Sequence, residues 1–557
     1  MRLHPSPLNA LLVFLGVCWF LLFAHGGLAA QFSGDDLMNL HGYLGHTPVS
    51  LIVDNLRYWS TSYRPLGGLF YVLLYNWFGF DPLPFRMACF AILALNLGLL
   101  WRFTFRLSGA REVAFLALLI AAYHAWFVDL YYNTGTIYDL LCYSFYLGAF
   151  NLYMKARAQR PTLSWRQLGT ISALYVCALN AKEMAVSLPA LLAAYEVIYH
   201  GAALRSGVSR WIRAEGRGVL VTGLLTLPYV AGKLLGAGSL VENPAYRLAI
   251  SPGRYLDTFH LYLNPLLYQD HLFRDPNTVQ LLLGMLALAL WRRSRPMLFA
   301  WFFLLASLLP VAFIAHYAAF FLYVPMAGWA LYTAETLVMA RRLLATLLVR
   351  AARLDGTGAQ HLRTATVVAL PPLLALFLAP CHQRESGKTL RIFESVQPPS
   401  RQLSAQLLAL QSGLPRGGRV LFVGDPFAAD NYLLLFLTRL VYRDMSITVE
   451  RLPLSQCPRI QYGHYDAVFR FQHGRLARAE GPLGAAELQE SPQPIRGNPA
   501  VPPNTNGPLL DGCARPLVSP APRNTVSTRF QSEAPVSVMS PSSAKVRACE
   551  HSWGLRG

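Results

Sequence analysis

Charge is what this 557-residue chain has least of. Only 14% of its residues are Asp, Glu, Lys or Arg, against about 25% in an average soluble domain. With 54% hydrophobic residues and a mean hydropathy of +0.34, that scarcity excludes disorder over most of the length and argues against a large water-soluble enzyme. Lysine is nearly missing: it occurs at Lys155, Lys182, Lys233, Lys388 and Lys545, against 43 arginines, so a lysine in an apolar region stands out. The eight cysteines show no CxxC or zinc-ligand spacing. Cys18, Cys89, Cys142 and Cys177 lie in apolar stretches as small hydrophobes. Cys381, Cys457, Cys513 and Cys549 lie in the C-terminal third, where disulfides are admitted but no pairing can be read.

What the chain does have is long apolar runs and a net charge of +19. Runs near the ~20 residues needed to cross a bilayer fall at 8–30, 84–101, 112–127, 137–154, 167–181, 184–200, 218–236, 278–291, 297–315, 318–340 and 364–380. The first has an apolar core longer than the roughly 7–15 residues of a cleaved signal peptide, so an uncleaved anchor is expected. With the N-terminus inside, the cytoplasmic tail and five loops before residue 381 hold 20 basic residues and the outer segments eight. This asymmetry is the one that orients membrane proteins. It accounts for much of the +19 without nucleic acid, which is not expected as a partner. Treating Leu66–Phe80 as a further span would invert every later loop. It is therefore expected to be a juxtamembrane or re-entrant helix in a long first external loop, about 31–83. The expectation is a polytopic α-helical membrane protein with about eleven transmembrane helices over 1–380, its N-terminus cytoplasmic and the region after 381 outside.

The outer segments carry the acids. Asp35-Asp36 follows the first run directly, and Asp129 and Asp139 flank a short second external loop. Carboxylates at a water-accessible membrane edge suit a general base or a metal site. An acid near a span end can equally mark the interface.

These residues carry a resemblance. The chain resembles the GT-C superfamily of membrane glycosyltransferases, closest to the protein O-mannosyltransferases and the TPR-containing O-mannosyltransferases. The matching elements are the acidic pair Asp35-Asp36; Tyr63-Arg64-Pro65-Leu66, followed by Phe78-Gly79-Phe80-Asp81-Pro82; His124, Asp129 and Asp139 with Gly135 between; Ala181-Lys182-Glu183 through Pro189; and Phe320-Phe321-Leu322-Tyr323-Val324-Pro325. In the last element the family's arginine is missing, with His316 four residues upstream as a substitute. No TPR array follows.

The resemblance implies inverting transfer of a sugar from a polyprenyl-phosphate donor to a protein, lipid or glycan acceptor on the extracytoplasmic face, as in a bacterial inner membrane. Asp36 is the expected base with Asp35 as its neighbour or metal ligand, and the reverse assignment stays open. Asp129 is a second acid. A divalent metal (Mg or Mn) on Asp35, Asp36 and Asp129 is admitted as cofactor. Arg64 is the first choice for the donor phosphate, because a guanidinium matches phosphate oxygens bidentately; Lys182 and Lys233 are further candidates. Asp139, Glu183, His124 and His316 complete the set. The structural alternatives are snorkelling for Arg64, a Lys182–Glu183 ion pair, and an interfacial anchor for Lys233. The rival readings are a transporter or lipid flippase, or a GT-C-shaped chain without activity. A transporter calls for internal repeats, and no clear one is seen.

After Pro380 the pattern changes. Arg419–Asp425 and Ser446–Leu452 read as strands, Ala428–Tyr442 as a helix and Tyr465–Gln472 as a further strand. A small extracytoplasmic α/β module is expected over 381–484. The Pro-, Ser- and Asn-rich stretch 485–557 is expected to be a disordered tail.

Overall fold

The computed structural model describes residues 7–59, 64–205, 207–235, 248–269, 272, 275–314, 316–396, 400–410, 413–427, 431–452, 464–472 and 475–478. The expectations for Tyr63, Cys457, Cys513, Cys549 and the 485–557 tail lie outside the described residues. Of the four cysteines in the C-terminal third, Cys381 is described, and it is free.

The chain is mostly helical. The first part runs α1 (Pro7–Ala24), α2 (Gly34–Tyr43), α3 (Pro48–Leu56), α4 (Pro65–Phe78), α5 (Pro82–Ser108), α6 (Arg111–Ala122), α7 (Val128–Tyr132), α8 (Ile137–Gln159), α9 (Trp165–Ala181) and α10 (Leu188–Arg205). It continues with α11 (Val208–Arg213), α12 (Arg217–Leu235), α13 (Pro252–Leu266), α14 (Asp275–Trp291), α15 (Arg295–Ala312), α16 (Met326–Ala351), α17 (Gly356–Val396) and α18 (Ser400–Ala409). Then come β1 (Arg419–Val423), α19 (Leu433–Val441), β2 (Thr448–Leu452), β3 (Ala467–Gln472) and β4 (Arg475–Arg478).

Among the described residues five helices are long and apolar enough to cross a membrane: α1 with the turn after it, α5, α12, α15 and α17. A sixth is counted if α6 and Ala125–Tyr132, bent by 52°, form one span. This corrects the expected eleven. The expected run 112–127 breaks at Tyr123–His124, and α9, in the expected run 167–181, has only 17 residues. The apolar part of α14 covers only Pro276–Trp291. Helix α8 carries Asn151 and Arg157, both buried, and α16 carries Glu335, Arg341 and Arg342. Helices enclosed by other helices tolerate such residues, because protein groups rather than lipid surround them.

The core forms where α8 packs on α5 and α9, and α16 on α6 and α15. Phe103, Phe150, Phe299 and Phe303 interlock there, with Phe103 edge-on to Phe150 at 5.5 Å and to Phe303 at 5.5 Å. Such ring pairs add about 0.5–1.5 kcal/mol each beyond area burial. Helix α4 is the short element expected in the first external loop. Pro65 opens it, Gly79 closes it at φ +60, and Tyr71 and Tyr75 are buried beneath it. Gly67 is required by close approach, since a Cβ there would stand 2.0 Å from the Tyr138 ring.

The C-terminal elements form a four-stranded sheet of order β2-β1-β3-β4, with β1 parallel to β2 and β3, and β4 antiparallel to β3. Its helix α19 packs on α2. The Tyr75 hydroxyl of α4 donates to the Leu440 carbonyl at 2.7 Å, and the His41 ring lies 4.8 Å from Phe436. The module is therefore seated beside the helix that begins with the acidic pair.

Candidate functional site

Helix α2 starts at Ser33, whose hydroxyl accepts from the Asp36 N–H at 3.3 Å while the Asp36 carboxylate accepts from the Ser33 N–H at 2.7 Å. This is a capping box, and the Ser33-x-x-Asp36 spacing was its sequence signal. Asp36 is fully buried. It also accepts from the Thr134 hydroxyl, from the Gly135 N–H at 2.8 Å and from the Arg86 guanidinium at 3.0 Å. Four donors thus occupy its two oxygens, which leaves an acceptor hydroxyl no place. The expectation of Asp36 as base is revised on this ground.

Asp35 differs. It is exposed, and its carboxylate accepts one bond, from Asn133 Nδ2 at 3.3 Å. Crowding by surrounding protein, then the charge of Asp36, raise its pKa above the usual Asp value. Asn39, one turn further along α2, donates to the Asp35 carbonyl at 2.8 Å. Gly135 fits against it, since a Cβ there would lie 3.1 Å from the Asp35 Cβ. Asp129 on α7 stands within electrostatic range of Asp35, Asp139 and Asp36, half-buried. The first and second loops therefore meet at an acidic pole formed by Asp35 and Asp129.

A basic pole stands beside it. Arg64, the residue before α4, donates to Glu183 at 2.8 Å and lies over the Tyr138 ring at 5.1 Å. Lys233 near the end of α12 approaches the other Glu183 oxygen at 3.7 Å. Burial would raise the Glu183 carboxyl, but Arg64 and Lys233 together hold it down at about 2. Two cations around one carboxylate leave a net positive charge. The Tyr138 hydroxyl donates to Asn39 Oδ1 at 2.7 Å and the Tyr43 hydroxyl to the Arg64 carbonyl at 3.2 Å. These tyrosines tie the acidic pole to the basic one.

Lys182 and Glu183 do not pair with each other. Lys182 donates to Asp139 at 2.6 Å and sits over the rings of Phe320 and Phe321 at 4.4 and 4.8 Å. Both members of the pair are buried, so Lys182 is committed to Asp139, and its expected phosphate contact is corrected. Phe320 and Phe321 thus cover a lysine from the segment between α9 and α10. Burial, then Lys182 and Arg64, push His316 below the usual histidine value, which places it beside the basic pole. His124 is elsewhere: its ring stacks on Tyr268 at 4.3 Å and Nε2 contacts the Leu266 carbonyl at 3.3 Å.

Asp35, Asp36 and Asp129 do not fit a divalent cation as a set, because Asp36 is saturated by hydrogen-bond donors. No group of three or more His, Cys, Asp or Glu arranged to hold a metal occurs among the described residues. The residues missed by sequence reasoning are Arg86, Asn133, Thr134, Tyr43 and Tyr138. Arg86 was one basic residue among the outer ones. The others are polar or aromatic side chains whose role exists only once two loops meet.

No protein-family model and no curated protein matches this chain. The functional reading rests on the geometry and on the motif resemblance.

Proposed function

We propose that this protein is a membrane-embedded glycosyltransferase that takes a sugar from a polyprenyl-phosphate carrier. The observation that carries this reading is the meeting of two poles at one end of the helical bundle. Exposed Asp35 and half-buried Asp129 form an acidic pole, and Arg64 with Lys233 forms a net-positive one around Glu183. Inverting transfer from a lipid phosphate needs this division, a base for the incoming hydroxyl and cations for the outgoing phosphate.

Asp35 is the base in this scheme. The acceptor oxygen bonds to the anomeric carbon while its proton passes to Asp35. The bond from the anomeric carbon to the phosphate oxygen breaks, through an oxocarbenium-like transition state. Its electron pair leaves on the phosphate, where Arg64 and Lys233 offset the charge. Asp36 holds α2 and the 133–135 turn in register. Asp129 binds sugar or acceptor. In this scheme this end of the bundle is the outer one, with the N-terminus cytoplasmic, as in a bacterial inner membrane. Protein, lipid and glycan acceptors all fit the scheme.

The test uses the purified full-length protein in lipid nanodiscs with a panel of radiolabelled polyprenyl-phosphate sugars. Release of polyprenyl phosphate with transfer of label, lost in Asp35→Asn, is expected. Folded protein that neither binds nor turns over any donor in the panel removes the reading and favours a transporter or an inactive chain.

A further inference from the structure

The turn that leads into α7 is held by side chains rather than by its own helix. Helix α7 spans only Val128–Tyr132, and a helix of one turn does not stand by itself in water. The N–H groups just before it occupy helix-start positions that no intrahelical carbonyl reaches. Each has a side-chain acceptor instead. The His124 N–H donates to the Tyr131 hydroxyl at 3.0 Å, the Ala125 N–H to the Tyr268 hydroxyl at 2.9 Å and the Trp126 N–H to His124 Nδ1 at 3.4 Å. Asp129 lies on the short helix whose start these bonds fix.

Tyr268 is the acceptor that comes from furthest along the chain. It follows α13 with φ +54, in the left-handed region that a bulky residue seldom adopts and that persists only where the surroundings hold it. Its hydroxyl also meets His382 Nδ1 of α17 at 2.7 Å, and His382 is 1% exposed. The direction of that bond follows from counting donors and acceptors. If Tyr268 donates to Nδ1, the His382 Nε2–H alone is left without a partner. If Nδ1 donates instead, the Tyr268 hydrogen is left over as well as the Nε2 lone pair, which costs more. The first arrangement also suits what encloses the imidazole. The rings of Trp19, Phe23 and Tyr123 stand around it with centroids at 6.0, 5.3 and 5.2 Å, and an N–H tolerates π-electrons better than a lone pair does. Helix α17 meets the same segment again at Phe393, 6.0 Å from the Tyr132 ring.

We infer that His382 is a positioning residue for Asp129. Through the Tyr268 hydroxyl it fixes the Ala125 N–H, and with it the turn that carries Asp129 into the acidic pole. His382 itself touches no residue of that pole and acts from a helix to which neither loop belongs. A displaced carboxylate lowers a rate without being removed, since a shift of about 1 Å can cost about 100-fold. The bearing on catalysis rests on the transferase reading, in which Asp129 binds sugar or acceptor. The link from α17 to the turn stands apart from it.

The test reads the turn and the chemistry separately, in the full-length protein in nanodiscs. Amide hydrogen exchange of a peptide covering 123–128 reports the Ala125 N–H. His382→Leu and Tyr268→Phe, the second keeping the ring and removing one oxygen, should each speed that exchange about three- to tenfold, the worth of one hydrogen bond. His382→Asn, whose amide oxygen can accept from Tyr268, should restore the protection. Sugar transfer should fall about 10- to 100-fold in the first two variants and recover in His382→Asn. Exchange unchanged in His382→Leu and Tyr268→Phe overturns the inference, and so does His382→Asn exchanging as fast as His382→Leu. Faster exchange with transfer at the wild-type rate overturns the positioning role. Faster exchange restored by His382→Asn, in a protein that transfers sugar from no donor, removes the transferase reading and leaves the link from α17 to the turn standing.

Discussion

The Arg86 guanidinium reaches the Asp36 carboxylate at 3.0 Å, and neither side chain is more than 1% exposed. Arg86 also donates to the carbonyls of Ala30 at 3.3 Å and Gln31 at 2.6 Å. One side chain on α5 thus fixes the loop entering α2 and, through Asp36, the turn at Thr134-Gly135. Removing it leaves a buried carboxylate without its counter-charge. Arg86→Met should cost about 3–5 kcal/mol, read as a lower thermal midpoint of the protein in nanodiscs. A midpoint unchanged within error would show the pair to be unimportant.

Asp35→Asn should behave oppositely. Transfer should fall by about 10²–10⁴-fold, the usual worth of a general base, with the protein still folded. If Asp36→Asn loses chemistry and Asp35→Asn does not, at comparable thermal midpoints, the base assignment reverts to Asp36.

The raised pKa of Asp35 adds a pH signature. A carboxyl with a higher pKa in the folded state than in the unfolded state binds its proton more tightly when folded. It therefore favours folding at acid pH and disfavours it once pH rises through the folded value. Asp35→Asn should raise the thermal midpoint at pH 7 and leave it nearly unchanged at pH 4. The acid limb of kcat/KM should lie above the ordinary Asp value of 3.8. Glu183 has the opposite sign: its contribution is present above its unfolded value of 4.5 and is lost as pH falls toward about 2. The basic pole accordingly holds its charge through that acid limb.

Arg64→Ala should raise the donor KM about 10- to 100-fold, the range for one or two charge-assisted hydrogen bonds. Arg64→Lys should recover only part of this, since an ammonium lacks the bidentate fork. Initial rates across donor concentration check it, and an unchanged KM removes the phosphate role.

Lys182 tests the opposite claim. Lys182→Met strands Asp139 in the interior and should destabilise by about 3–5 kcal/mol. Adding Asp139→Leu should recover most of that loss and leave donor KM unchanged. A raised donor KM in the double variant would return Lys182 to the phosphate site.

The apolar runs and the acids beside α1 and on α7 were legible, because each is a property of local composition. The strands around Arg419–Val423, Thr448–Leu452 and Ala467–Gln472, and the helix between the first two, lie where the periodicity put them. The span count was not legible. Hydropathy along the chain does not distinguish an apolar helix facing lipid from one enclosed by neighbours, and it does not see the break at Tyr123–His124. Nor were the ion-pair partners. Lys182 and Glu183 are adjacent in sequence, yet the extended backbone at Lys182, φ −160, sends their side chains to different partners, Asp139 and Arg64.

By itself the sequence determined that the chain has helices apolar enough for a bilayer, where most of those apolar helices lie and which few charged residues are candidates for a site. These follow from the cost of exposing apolar surface to water and of placing charge in lipid. Only the tertiary structure decided what each candidate does. Asp35 and Asp36 share a helical turn and a residue type, but α2 directs one into a nest of four donors and leaves the other open. A carboxylate's role depends on which groups surround it, and those surroundings come from Arg86, 50 residues away along the chain, and from the turn at Thr134-Gly135, almost 100 residues away.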